Sequence, residues 1–331
     1  MAITACGSHA SRNASVVEIT PLSCCGDSFG QRAGLPALRL EERDGEVVAL
    51  DAAALTDGPH AGLLLLAAAV KNASSFVVKA HLLSAKADAV SVVWTRKLQM
   101  GNYLADTPML RVDPRSGDVV VGAKASLTRW PACSAKAAAS THAKQLRQCK
   151  LIARGRIWAL SLLADGGVCV AGDCATKGTL AMLLPVREGA RAGELPDPAN
   201  AIELRRGGGP LWPRGIGKAA LGALAVTSAD GDVELFHARS GRYLGRVFTS
   251  PVHGRYYWRA VTAQPAACCA AAPGLVSWRI GQTGGAQLLL HPHQRDGFAP
   301  AAAVLEDGIA PEKEHGDREA PTAVTARAGW C

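Results

Sequence analysis

Cysteine and histidine are the residues of this chain best suited to metal or redox chemistry, and their spacing does not build a site. The ten cysteines include two adjacent pairs, Cys24-Cys25 and Cys268-Cys269. Cys169 and Cys174 are separated by four residues, with no second pair or histidine cluster at finger spacing. Cys169 and Cys268 fall inside apolar, strand-like runs, where a free thiol behaves as a small buried hydrophobe. His291-Pro292-His293 sets two imidazoles on one side of an extended chain, as a metal site does, but no third ligand stands near and the stretch reads as a surface loop. Gly207 to Gly209 has neither the preceding strand nor the following Lys-Ser/Thr of a phosphate loop. Ser161 and Ser277 lack a nucleophile-elbow context, and no Ser/His/Asp set is assignable. The expectation is no catalytic residue, no metal and no cofactor.

A different chemistry is offered by Arg255-Tyr256-Tyr257-Trp258-Arg259. Arginine and aromatic side chains are enriched among the hot spots of protein interfaces, so these five residues are the candidate interface. The competing reading is an ordinary strand whose Tyr256 and Trp258 pack against neighbouring sheets.

The elements that must carry these residues are short strands. The stretch from Ala223 to Val252 shows the scheme: an apolar run to Val226, then a reversal at Ser228-Ala229-Asp230-Gly231. Next Val233, Leu235 and His237 alternate with Asp232, Glu234 and Phe236, a second turn falls at Arg239-Ser240-Gly241, and Tyr243, Gly245 and Val247 alternate again. The same text recurs from Ser15 to Leu55, through Leu63 to Trp94, from Trp94 to Trp130, from Ile157 to Pro185 and from Trp258 to Gly281. Asp44-Gly45, Asp165-Gly166 and Asp230-Gly231 are expected at equivalent places on successive hairpins. Units of three or four strands recurring at roughly 40–50 residues predict an all-β fold, a β-propeller of six to seven four-stranded blades. A β-sandwich or two all-β domains is the structural alternative. Residues 1–14 are expected to be a flexible N-terminus, 15–310 the propeller, and 311–331 a charged, disordered tail. Pro131 to Cys149 reads as a surface loop between units.

Composition narrows the function classes. With 48% apolar and 19% charged residues the 331-residue chain is globular. Its net charge of +8 is dispersed, and four Tyr and five Phe make no stacking platform, so nucleic acid is not the expected partner. The longest apolar stretch, Leu63 to Val70, is far below the roughly 20 residues of a membrane span. The opening MAITACGSHASRN has no charged and apolar regions of a signal peptide, and the cysteine usage suits a reducing compartment. The expected location is intracellular, in the cytoplasm.

Several of these residues resemble the PQQ-like repeats of quinoprotein-type propellers. Trp94, Thr107-Pro108, Gly117, Gly122 and Trp130 match that repeat in the third unit. Thr20-Pro21, Asp44-Gly45 and Val47 to Ala52 match in the first, and Ser228 to Gly241 with Ser250-Pro251 in the fifth and sixth. The fifth unit also resembles a WD40 repeat, with Phe236-His237 in place of Trp-Asp. The order of units is similar to the C-terminal propeller of the β-alanine-activating, acyl-CoA-synthetase-like proteins. Resemblance to quinoproteins implies, as one alternative, an enzyme or cofactor binder using a central channel, with Cys268-Cys269 or Cys24-Cys25 as the vicinal pair that stacks on a quinone. No Glu/Asn/Asp metal set accompanies either pair. The leading expectation is a non-enzymatic propeller scaffold that mediates protein–protein interaction.

Overall fold

The computed structural model describes residues 2–11, 14–25, 28–31, 38–43, 45–72, 75–85, 89–101, 108–134, 148–150, 155–163, 165–174, 178–186, 194–207, 211–218, 223–228, 233–248, 256–264, 274–281, 286–294, 297–298, 302–307 and 324–327, with side-chain detail between Ser15 and Arg246. These residues form a β-propeller of antiparallel sheets, four of them four-stranded and two five-stranded. The chain divides into two compact units, residues 1–151 with 189–195 and 319–331, and residues 152–188 with 196–318.

The first unit holds three sheets. β1 (Ala2–Ser11) pairs with β2 (Ala14–Cys25), which pairs along its length with β3 (Ser28–Gln31) and β4 (Leu38–Glu42). β5 (Glu46–Ala54), β6 (Leu64–Lys71), β7 (Phe76–Ala85) and β8 (Val90–Gly101) follow in order as the second sheet. β9 (Met109–Val112), β10 (Val119–Ala123), β11 (Ser126–Trp130) and β12 (Gln148–Lys150) form the third. Late in the chain, β26 (Val324–Arg327) returns to pair with β1. It lies beside β5, which itself lies beside β9, so the first strands of the three sheets are neighbours, as innermost blade strands are. Of the segments expected as a flexible start and a disordered tail, residues 2–11 and 324–327 lie in strands, and most of the tail lies outside the described residues.

The apolar run at Leu64 shows why this packing is stable. A strand's side chains alternate between faces. Leu64, Leu66 and Ala68 meet Val17 and Ile19 of the first sheet, whereas Leu65, Ala67 and Ala69 belong to the core shared with Leu110, Val112, Val119, Val121 and Trp130 of the third. Both faces are covered, so the strand reads as unbroken apolar sequence rather than as alternation. Trp130, the last residue of β11, is wholly buried in that core.

The second unit repeats the plan. β13 (Gly155–Leu162), β14 (Val168–Cys174), β15 (Gly178–Leu184) and β16 (Ile202–Glu203) form one sheet. β17 (Pro213–Lys218), β18 (Ala223–Ser228), β19 (Val233–His237) and β20 (Tyr243–Phe248) form the next. β21 (Tyr256–Gln264), β22 (Gly274–Gly281), β23 (Ala286–Gln294), the short β24 (Gly297–Phe298) and β25 (Ala302–Asp307) form the last, with both β24 and β25 pairing with β23. Here too the first strands adjoin, β17 lying against β13 and β21. Cys169, Ala171, Leu183, Leu224, Val226 and Phe236 fill the core between the first two sheets.

Several sequence expectations are corrected. The three Asp-Gly steps do not hold equivalent places in the strand order. Residues 165–166 lie between β13 and β14, the first and second strands of their sheet. Asp44 and residues 230–231 lie outside the described residues; in sequence they fall between two sheets (β4 and β5) and between the second and third strands of one (β18 and β19), respectively. The Asp-Gly pair favours tight reversal wherever one occurs, so it marks turns and not their rank in a blade. For the same reason β4 and β5 are not a hairpin, because β5 pairs with β6 and opens the second sheet. Gly172 is an interior residue of β14, and β23 and β25 belong to the last sheet. Trp278 stands mid-strand in β22, opposite Ala260 and Leu288, whereas Trp130 ends β11. Most of the insertion expected at Pro131 to Cys149 lies outside the described residues.

Candidate functional site

The sequence-derived interface residues fall on or beside β21, at the margin of its sheet. Arg255 lies outside the described residues. Tyr256 stands opposite Gly281, Tyr257 opposite Ile280 and Trp258 opposite Arg279, and the register then shifts, so Arg259 is the extra residue of a bulge. His291-Pro292-His293 is part of β23 and not a loop; Pro292 faces Gly274 in the ladder. A proline is accommodated in a strand where its missing N–H is not needed by the ladder. Ser161 is buried within β13. Residues 268–269 lie outside the described residues, and Cys24-Cys25 belongs to β2. Cys169 is buried and free; burial raises its thiol pKa strongly, and burial likewise pushes the Cys133 thiol up to about 11. Both are therefore thiols, not thiolates, at neutral pH.

Three clusters of buried charge carry the chemistry of the described residues. In the first unit Glu42, at the end of β4, forms an ion pair with Lys79 on β7, both side chains less than a tenth exposed. His81 Nε2 faces the other carboxylate oxygen at 3.4 Å, and His81 Nδ1 meets the Thr95 hydroxyl at 2.9 Å. Burial alone would raise the Glu42 pKa, but His81 and Lys79 together outweigh it and hold the carboxyl below its ordinary range. The second cluster is internal to the third sheet. Arg129 donates from Nε to Asp118 at 2.6 Å and from Nη2 to Asp113 at 2.7 Å. It thereby fastens the Pro114–Gly117 turn, where Asp113 also accepts from the Arg115 backbone N–H at 3.0 Å. Burial again raises and these donors lower the Asp113 pKa, with a net fall.

The third cluster lies in the second unit and reaches the surface. Glu234 on β19 is wholly buried, and one of its oxygens accepts from Arg206 Nη1 at 3.2 Å and Arg246 Nε at 3.3 Å. Its other oxygen accepts from the Tyr243 hydroxyl at 2.5 Å. Burial, then the hydrogen bond to Glu234, pushes the Tyr243 pKa up to about 12. Tyr243 and Arg246 are an odd number of residues apart and would face opposite ways on a regular strand. A bulge brings them together: β20 sets three residues, Tyr243 to Gly245, against Leu235 and Phe236 of β19, and Gly245 adopts φ +129°. The extra residue, Leu244, is 45% exposed. The turn before β20 is seated on the neighbouring sheet, since a Cβ on Gly241 (φ +65°) would come within 2.9 Å of Ile202 and 3.1 Å of Leu204.

The sequence reading placed Glu234 and Phe236 on one face and Val233, Leu235 and His237 on the other, but did not foresee which is inside. Glu234 and Phe236 are wholly buried, while on the other face Val233 is buried too but Leu235 and His237 are only half-buried. The available signal was Gly245 in Tyr-Leu-Gly-Arg, since an isolated glycine in a strand marks a bulge.

No family model matches this sequence, and neither does any curated protein. Among solved structures the chain is similar to that titled "YCF48 bound to D1 peptide", at 10% identity and a TM-score of 0.45, over 95% of this chain and 83% of that one. Among the described residues, no helix is long and apolar enough to cross a membrane.

Proposed function

We propose that this chain is a non-enzymatic β-propeller scaffold of the cytoplasm that binds a protein partner. The observation that carries this reading is the division of roles among its side chains. Buried ionisable groups hold strands and turns: Glu42 with Lys79, Arg129 with Asp113 and Asp118, Glu234 with Arg206 and Arg246. Large apolar side chains stand in solvent at sheet margins and on a connecting segment: Val93 at 52% exposed, Trp212 at 46% and Leu244 at 45%. A rigid frame whose own faces are filled, with apolar anchors displayed outside, suits recognition better than bond-making. The burial of Trp130 at the end of a third strand supports a PQQ-like blade over a WD40-like one, without requiring the quinone. The residues Tyr256 to Arg259, on the first strand of the last sheet, are kept as part of the proposed partner surface.

The test is purification of the full chain from its native source under non-denaturing conditions. A protein partner in fixed stoichiometry, retained through gel filtration, is the expected result. A bound chromophore with a quinone-like absorption band, or a stoichiometric metal, overturns the scaffold reading in favour of the cofactor-dependent enzyme.

A further inference from the structure

The margin of the fifth sheet in chain order carries a surface of defined chemistry. Arg239, Arg242, Leu244 and Arg246 are all exposed on the β19–β20 hairpin. Arg206 is drawn beside them by the shared oxygen of Glu234, and Arg205 is its chain neighbour. Among the described residues of this surface five arginines stand with two acids, Glu203 and Glu234. Glu203 already faces Arg205 at 3.1 Å, and Glu234 is wholly buried, so the charge that reaches solvent is positive. Among the described side chains Leu244 is the one large apolar group there, and the bulge is what turns it outward. β20 is also the last strand of its sheet among the described residues.

We infer that this hairpin is a docking site for an acidic segment of a protein partner, with carboxylates meeting Arg239, Arg242 and Arg246 and an apolar side chain between them covering Leu244. The inference rests on the scaffold reading above and adds to it a place and a partner chemistry. Charge complementarity is the argument for an acidic occupant: arginine forks pair with carboxylates in planar geometry, and rows of them steer acidic ligands at long range. The exposed leucine is the argument for a peptide over a polyanion, because neither a nucleic-acid backbone nor a lipid headgroup supplies an apolar group between its charges. The Glu234 network supplies the rigidity, since Tyr243 and Arg246 are both fastened to a carboxylate that does not move with the surface. The two bulges of β20 disfavour simple addition of a strand to its edge, so recognition runs through side chains.

The test measures fluorescence anisotropy of a labelled peptide of alternating Glu and Leu with the full chain. Peptides of alternating Lys and Leu and of alternating Glu and Ser, an RNA oligonucleotide and anionic phosphatidylserine vesicles serve as comparisons. The Glu/Leu peptide should bind best, weaken as salt is raised, and lose about tenfold in affinity to Arg239→Glu/Arg242→Glu and to Leu244→Ser. These three residues are exposed, so the variants should keep the wild-type melting temperature, and that is measured alongside. Equal affinity of the double variant, or tighter binding of RNA or vesicles than of the peptide, overturns the inference. If the native partner still co-purifies with the double variant, this surface is wrong while the scaffold reading stands. Absence of any partner with the wild-type chain removes the scaffold reading itself.

Discussion

Glu42 and Lys79 meet between two stacked sheets, the carboxylate from the outermost strand of one and the ammonium from the third strand of the next, with neither open to water. In the second unit the same topological place is filled with the signs exchanged: Arg206, just beyond β16, reaches Glu234 on the third strand of the following sheet. Breaking such a pair leaves a buried charge short of its main counter-ion; without Lys79, Glu42 would keep only the His81 contact among the described residues. Lys79→Met should therefore destabilise the protein by ~3–5 kcal/mol, and Glu42→Leu/Lys79→Met should recover most of that loss. Urea denaturation of the single and double variants checks this; a double variant as weak as the single one would show that the site needs its charges.

Acid should act through the same carboxyls. Glu42 and Asp113 both titrate below their ordinary values of 4.5 and 3.8 in the folded protein. A depressed carboxyl binds its proton less tightly folded than unfolded, so its stabilising effect is complete above the ordinary value and fades as pH falls through the depressed one. Denaturation midpoints should hold from neutral pH to about 5 and then decline. Asp113→Asn should start lower and decline less steeply, and parallel curves for variant and wild type would contradict the assignment.

Trp130 tests the core between the second and third sheets. Its truncation to Ala should cost ~3–5 kcal/mol. Its indole N–H is buried and has no hydrogen-bond partner among the described residues, so Trp130→Phe forfeits packing volume and, among those residues, no hydrogen bond. The Phe variant should lose less than half of what the Ala variant loses, read from thermal melts of both. An unchanged melting temperature for Trp130→Ala would refute its place in the core.

Gly241→Ala should cost about 1–2 kcal/mol, combining a left-handed backbone with collision against Ile202 and Leu204. Gly178→Ala has a similar φ of +70° but meets nothing within 4 Å, and should cost less. A reversal of that order in denaturant midpoints would mean the β19–β20 turn is not seated on the preceding sheet.

Much of the fold was legible because strands announce themselves by period and turns by Gly, Asp and Pro. The run at Leu64, the Pro114–Gly117 turn and the Arg239–Gly241 turn all lie where the residues put them. The grouping of strands into sheets was not legible in the same way. Whether Asp44-Gly45 closes a hairpin or joins two sheets depends on which later strand offers β5 a better partner, and that is a long-range competition. The candidate site was hidden for a related reason. Glu234 looks like a surface residue in an alternating strand, and only Arg206, far back in the chain, and a bulge at Leu244 make it an internal one.

The pairing of β26 with β1 sets a timetable for the nascent chain. Thr4 and Thr325 are ladder partners, so the first sheet joins residues from opposite ends of the described sequence. On the ribosome, β1 and β2 emerge long before β26 has been synthesised, with one margin of their sheet unfilled. Contacts so distant in sequence form late and slowly. Until then that open margin can pair with another chain, so cellular yield should depend on how quickly the last segment is made and how well chaperones shield the first.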